Sequence, residues 1–189
     1  NAVQGQGASS ANTRGGEEIM IFGMNFGPAG DAHMPTMEYG PASDPTLYVA
    51  TNCFVKNSFN KISCTSAPGT GTGHVVTIIV GDQDSNTYDA NVNYKPPSVH
   101  YFEPEWEGTT PPRDGGSTEG QEVVIVHGDN FGVASANMLD SVSYGEKGVE
   151  YRPCAPSAAG TSDCMCEIVE DHTAIKCYTT EGTGKTHKW

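Results

Sequence analysis

Apolar and polar residues alternate along most of the chain in short runs. Ile19-Met-Ile-Phe22 and Val123-Val-Ile-Val126 are built largely from side chains that fit a pleated, half-buried surface. Each ends in a Gly-x-Asn-Phe-Gly turn, Gly23–Gly27 in one case and Gly128–Gly132 in the other. Val75-Val-Thr-Ile-Ile-Val80 leads into a Gly81-Asp82 turn, and Asn91-Val-Asn-Tyr94 alternates polar with apolar. Val99-His-Tyr-Phe102 opens a further run after Lys95-Pro96-Pro97, where proline, lacking an N–H, ends a central strand. Period-two runs separated by turn signals predict antiparallel strands, and no long stripe of period 3.6 competes with them.

The pattern occurs twice. Tyr39-Gly40 follows Gly23 by the interval at which Tyr144-Gly145 follows Gly128, an offset of 105 between copies. Cys53 and Cys64 match Cys166 and Cys177 at an offset of 113, as do Gly69-Thr-Gly71 with His74 and Gly182-Thr-Gly184 with His187. The difference is an insertion in the second copy that carries Cys154 and Cys164. Six cysteines allow many connectivities, and the repeat selects Cys53–Cys64, Cys166–Cys177 and Cys154–Cys164. Each closes a short loop and contributes about 2–4 kcal/mol, mainly by restricting the unfolded chain.

In order, the motifs are P-x-V-x-x-F-x-P at Pro97–Pro104, Gly115-Gly116, Val123–Gly132, Tyr144-Gly145, Ile175–Cys177 and, in copy one, Ile78–Ser85. This string resembles the IPT/TIG family of immunoglobulin-like domains over nearly the whole chain. The resemblance implies an all-β fold: two tandem antiparallel β-sandwiches of immunoglobulin type. Residues 1–15 would form an N-terminal tail, 16–95 the first domain and 96–189 the second. Modules of that family serve as receptor and extracellular-fibre ectodomains, as the dimerisation half of Rel-type transcription factors, and as accessory domains of starch-acting enzymes.

Two departures from the motif string matter. Copy one lacks the opening P-x-V-x-x-F-x-P strand and has only a loose, polar stretch before Gly16. Copy two reaches Trp189 just after its GTG turn, without counterparts of Thr77 to Tyr94, so its last strands are missing in cis. Unpaired strand edges invite association. Trp189 aligns with Val76, and Asn1–Ser9 then aligns without a gap on Thr77–Ser85. Ala2, Val3, Gln4, Gly5, Gln6 and Ala8, with Trp189, are therefore the expected assembly interface. The tail of a neighbour would be donated beside Thr173–Tyr178 or Lys188–Trp189 by strand addition. Head-to-tail contacts of unlike surfaces give rings or open filaments. The alternative reading is a disordered tail or a poor first strand in cis.

Composition narrows the function. With 10 Lys and Arg against 23 Asp and Glu, the formal charge of −13 opposes nucleic acid and an anionic membrane surface as partners. No apolar run is long enough to span a bilayer. An even cysteine count favours disulfides in an oxidising, extracellular setting, and a chain beginning at Asn1 reads as a processed product. Cys164-Met-Cys166 is too closely spaced for the usual zinc pairs, and no metal or cofactor is expected. Gly182-Thr-Gly-Lys-Thr186 resembles the end of a phosphate-binding loop, but Thr179 stands where its first glycine belongs. Asp82-Gln-Asp-Ser-Asn86 lacks the glycine and closing glutamate of a calcium loop. His74 and His187, being repeat equivalents, point to a turn role. No nucleophile elbow occurs, no catalytic residue is nominated, and the chain is read as a non-enzyme. No N-x-[ST] sequon occurs, and Thr109, Thr110, Ser157 and Thr161 stand in stretches rich enough in Ser, Thr and Pro to take O-glycans, with ordinary polar loops the favoured reading.

The leading expectation is a secreted structural protein: a disulfide-stapled, O-glycosylated protomer whose partner is itself, in a fibril or filament. Glycans are a further partner, attached or bound. The alternatives are a protein- or glycan-binding module of a cell-surface receptor or adhesin, with Trp106 and Tyr101 available to stack on sugars, and an accessory domain of a carbohydrate-active enzyme.

Overall fold

The computed structural model describes residues 2–30, 34–105, 115–136, 139–153 and 166–189. The chain divides into two compact units, Asn1–Pro96 and Pro97–Trp189.

The first unit contains β1 (Ala2–Gln4), a one-turn helix α1 (Gln6–Ser9), β2 (Glu18–Phe22), β3 (Thr36–Gly40), β4 (Tyr48–Val49), β5 (Thr51–Asn57), β6 (Lys61–Thr65), β7 (His74–Val80), β8 (Gln83–Asp84) and β9 (Tyr88–Val92). One sheet runs β1-β2-β6-β5 and the other β4-β3-β7-β8, with β9 also on β7. All pairings between these strands are antiparallel. Alternation decides which side chains meet between the sheets. Ile19 and Ile21 of β2 and Ile62 of β6 point inward, with Met37 and Tyr39 of β3 and Val76 and Ile78 of β7, all buried. Cys53 of β5 and Cys64 of β6 are joined by a disulfide (S–S 2.05 Å).

The second unit holds β10 (Ser98–Pro104), β11 (Val123–Asp129), a 3-10 turn (Ala134–Ala136), β12 (Glu167–Glu170) and β13 (Ala174–Tyr178). Its sheet runs β10-β11-β13-β12. Val124, Val126, Ile168, Ile175 and Phe131 form its core together with the Cys166–Cys177 disulfide. Two of the three expected disulfides are thus present, while Cys154 and Cys164 lie outside the described residues.

The repeated turn has a physical explanation. Asn25 (φ 67°) and Asn130 (φ 64°) take the left-handed conformation that asparagine tolerates. The Phe26 and Phe131 rings then fold back over Gly23 and Gly128, where an added Cβ would lie 2.5 and 2.6 Å from the ring tip. Only glycine leaves room for the ring.

Two expectations about the tail are corrected. Copy one does have an opening strand, because β1 pairs with β2 from Ala2↔Phe22 to Gln4↔Met20. That is the place β10 takes on β11, from Tyr101↔His127 to Glu103↔Ile125. Nor is the stretch after it loose. Gly7, Ala8 and Ala11 are buried, and the Ala11 N–H donates to the Asn93 carbonyl (2.8 Å) while the Lys95 N–H donates to that of Ala11 (2.8 Å). Residues 1–15 therefore belong to the first unit.

Candidate assembly interface

Among its described residues the second unit has one four-stranded sheet, and isolated bridges where the first unit has its other sheet. In the first unit β3 is flanked by β4 and by β7, from Gly40↔Val75 through Tyr39↔Val76 to Thr36↔Ile79. At the equivalent place the second unit makes two isolated bridges, Tyr144↔Tyr151 and Gly145↔Lys188. The first reproduces Tyr39↔Tyr48 and the second Gly40↔Val75. In the second, the Gly145 N–H donates to Lys188 O (2.9 Å) and the Lys188 N–H to Gly145 O (2.7 Å). Val142 and Ser143 correspond to Met37 and Glu38, and among the described residues no named strand pairs with them.

Trp189 covers part of this opening. It stacks on Tyr144 (centroids 4.4 Å apart, planes at 15°) and reaches Phe102 (6.2 Å). Leu139, Val142 and Trp189 pack on the core but remain only partly buried. Phe102 faces inward opposite Val126, yet it is 41 % exposed.

The same comparison exposes an aromatic cluster that sequence reading reduced to turns. Tyr39, Tyr48, His74 and Tyr94 pack together, with Tyr39–Tyr48 centroids 5.3 Å and Tyr48–His74 centroids 5.4 Å apart. Tyr144, Tyr151 and His187 repeat it at 5.3 and 5.5 Å. His74 is buried in this cluster and ties down the turn before β7: its Nε2 lies 2.9 Å from Thr70 O, and burial depresses its pKa. Burial pushes the Tyr39, Tyr94 and Tyr144 hydroxyls up in pKa. Tyr94 lies just beyond β9, in an isolated bridge with Ala11, and the described residues of the second unit show no counterpart of it. The signal for Tyr48 and Tyr151 was in the sequence, but they follow Tyr39 and Tyr144 by different intervals, so a fixed offset missed them.

The predicted donor residues are placed as follows. In this single chain Ala2, Val3 and Gln4 lie on β2 of their own unit, with Val3 opposite the buried Ile21. A cavity of ≈ 350 Å³ lies beside Ala2 and Val3, walled by Ile21, Phe26, Val76 and Ile78. Gly5 (φ 110°) and Gly7 lie tight on the β2 backbone, since a Cβ on Gly7 would be 2.8 Å from Glu17 O. Gln6 opens α1, and Ala8 is 4 % exposed. One expected acceptor is corrected: β13 has β11 on one side and β12 on the other, so Thr173–Tyr178 offers no free edge. That leaves Lys188–Trp189 and the strand carrying Val142–Gly145. The ungapped alignment also meets a difficulty. It sets Ala2 in the place of the buried Ile78 and turns Val3 outward, whereas pairing in cis turns Val3 inward. A one-residue slip exchanges the two faces of a strand.

On the outer face of the second sheet Tyr101, 53 % exposed, stacks on His127 (4.6 Å, 13°). Trp106 and the expected glycan positions Thr109, Thr110, Ser157 and Thr161 lie outside the described residues. No helix among the described residues is long and apolar enough to cross a membrane. No family model matches the chain, and no curated protein matches it.

Proposed function

We propose that the protein is an extracellular structural protein, the protomer of a homopolymeric fibre. The open side of its second sandwich takes a β-strand from a neighbouring copy. One observation carries this reading: among the described residues, the segment equivalent to β3, which is paired on both sides in the first unit, makes two isolated bridges in the second. Backbone N–H and C=O groups at such an edge seek partners, and an added strand satisfies them while covering Phe102 and Val142. Donor and acceptor lie on unlike surfaces, so the contact repeats head to tail, and a rotation that does not close into a ring builds a filament. The two disulfides fit an oxidising compartment.

Negative-stain microscopy and sedimentation across a concentration series test the reading. Filaments or a concentration-dependent ladder of oligomers are expected, and Ser143→Pro, which blocks pairing at the open edge, should abolish them. A monodisperse monomer at high concentration refutes the reading. So does a native polypeptide that supplies its own strand beside Val142 and Ser143, a result that mass spectrometry and hydrogen exchange would reveal.

A second reading, a glycan- or protein-binding module, is favoured by the exposed Tyr101–His127 stack. Glycan-array binding lost on Tyr101→Ala would support it.

A further inference from the structure

We propose that the outer face of the second unit's sheet is a sugar-binding platform: Tyr101 stacks on one pyranose of a neutral, glucose-configured glycan, and Glu103 and Asp129 accept hydrogen bonds from its hydroxyls. This inference rests on the glycan-binding reading, names its ligand and the residues that hold it, and stands apart from the fibre.

A bulge in β10 builds the platform. Val99 pairs with Gly128 and Tyr101 with His127, which leaves His100 as an extra residue between them. Bulges re-aim side chains, and here His100 and Tyr101 both turn outward, His100 to Asp129 and Tyr101 to His127. His127 and Asp129 share that outer face because they alternate with the buried Val124 and Val126. The Tyr101 ring lies on the His127 ring, so one of its faces is covered, yet the residue is more than half exposed. Other outer-face aromatics are occupied. Lys176 Nζ lies 5.3 Å from the Tyr178 ring centroid, and in the first unit Lys61 Nζ lies 4.9 Å from that of Phe22. Among the described residues no lysine or arginine lies over Tyr101.

Polar groups bracket this ring. Glu103 stands two residues further along β10, and Asp129 two residues beyond His127 on β11; both side chains are more than half exposed. Two residues of strand measure about 6.6 Å, close to the reach of a pyranose hydroxyl from its ring centre, about 3 Å, plus an O–H···O bond of about 2.8 Å. His100 Nε2 lies 3.3 Å from Asp129 Oδ2, and His127 Nε2 lies 3.5 Å from Glu103 Oε2. A donor beside an acceptor, as at the exposed His100 and Asp129, matches a hydroxyl, which both gives and takes a hydrogen bond; a guanidinium or ammonium only gives. An all-equatorial pyranose turns C–H bonds to its faces and hydroxyls to its rim. One face then sits on the electron-rich Tyr101 ring while the rim meets the carboxylates. The same carboxylates, on a protein of net charge −13, repel an acidic glycan.

The duplication supplies a comparison. Register places Ala2, Gln4 and Phe22 in the first unit where the second has Tyr101, Glu103 and His127, and Met24 stands where Asp129 does. The first sandwich forms without these groups, so the fold itself does not call for them.

Isothermal titration calorimetry of the full chain with cellohexaose, maltohexaose and a tri-arginine peptide tests the site. Saturable binding of a hexasaccharide is expected. Tyr101→Ala, which installs the residue of the first copy, should weaken it at least tenfold, and Tyr101→Trp should preserve it. Combining Glu103→Ala with Asp129→Ala leaves the ring in place and should weaken binding severalfold, whereas Tyr178→Ala should change it less than twofold. Hexasaccharide binding that survives Tyr101→Ala refutes this site and leaves a glycan-binding module whose site is elsewhere. Binding that is lost on Tyr101→Ala but indifferent to the double variant refutes the carboxylate contacts. Binding of the peptide alone, lost on Tyr101→Ala, overturns the glycan in favour of a basic protein partner. If nothing binds, the platform and the glycan-binding reading fall together.

Discussion

Replacing Tyr94 with Phe probes the hydrogen-bonded tyrosine pair at the centre of the first unit. In the first unit three groups form a closed ring of hydrogen bonds. The Ala67 N–H donates to the Tyr39 hydroxyl (2.9 Å), the two tyrosine hydroxyls meet at 2.6 Å, and the Tyr94 hydroxyl donates to Ala67 O (2.7 Å). Tyr39 is fully buried and Tyr94 3 % exposed. Tyr94→Phe removes one hydroxyl and leaves the Tyr39 proton and the Ala67 carbonyl without that partner. Unsatisfied buried groups cost about 1–3 kcal/mol each, and Ala67 is half-buried, so water recovers part of its loss. The net expectation is a loss of about 2 kcal/mol. For a unit of this size that lowers the melting temperature by roughly 8–16 °C. In the second unit the Thr180 N–H donates to the Tyr144 hydroxyl (3.0 Å), which returns its proton to Thr180 O (3.3 Å) with no second tyrosine between them. Tyr144→Phe should therefore cost no more than about 1 kcal/mol. Differential scanning calorimetry of both variants, with Tyr39→Phe and the Tyr39/Tyr94 double variant, measures this. Within one ring the two losses should overlap, so the double variant is less destabilised than the sum of the singles. Additive losses, or equal costs for Tyr94→Phe and Tyr144→Phe, would refute the ring.

His74 predicts an acid sensitivity. Its folded pKa lies below the unfolded value near 6.5, so the unfolded chain binds the proton first as pH falls. The stability this histidine contributes is complete above about pH 6.5 and is lost as pH falls towards its folded pKa; urea melts of wild type and His74→Phe should differ in slope below that point and run parallel above it. The tyrosines act in the opposite direction. Because burial raises the Tyr39 hydroxyl above its ordinary value of 10.0, its contribution should fade as pH rises beyond about 10, and Tyr39→Phe should flatten that decline in thermal melts. Reducing Cys53–Cys64, or replacing both cysteines with alanine, should cost about 2–4 kcal/mol by denaturant melts; a loss below about 0.5 kcal/mol would count against the staple. Gly128→Ala drives a methyl into the Ser98 carbonyl as well as the Phe131 ring, while Gly23→Ala meets the Phe26 ring alone. The first should be worse by about 1–2 kcal/mol in calorimetry, and equal costs would deny the closer cover of β11 by β10.

The strands were legible because their signal is local. Ile19 and Ile21, or Val124 and Val126, alternate with outward residues in the sequence itself, and the pleat converts that alternation into an inner and an outer face. The disulfides were legible for a related reason: two copies of one pattern hold their cysteines at the same interval, and strands that pair antiparallel carry them side by side. The bridge Gly145↔Lys188 was legible too, since Lys188 and Trp189 align with the start of β7 and the bridge falls where that alignment puts it. The tail was not legible. Ala2-Val-Gln-Gly-Gln-Gly has too little apolar character to announce a strand, and its place is decided by Ile21, which offers Val3 an inward seat, and by Asn93 and Lys95, which bond to the chain around Ala11. Nor could the sequence show that β13 is already flanked on both sides.

The sequence by itself determined the all-β character, the duplication and the pairing of the two stapled cysteine pairs, because each depends on residues near one another or on the same interval recurring. Only the tertiary structure decided that Ala2–Gln4 pairs within its own sheet, that Tyr39, His74 and Tyr94 share one core, and that β13 is flanked on both sides. Those outcomes depend on which backbone groups, far apart along the chain, reach hydrogen-bonding distance, and that competition is settled only when the sheets are packed.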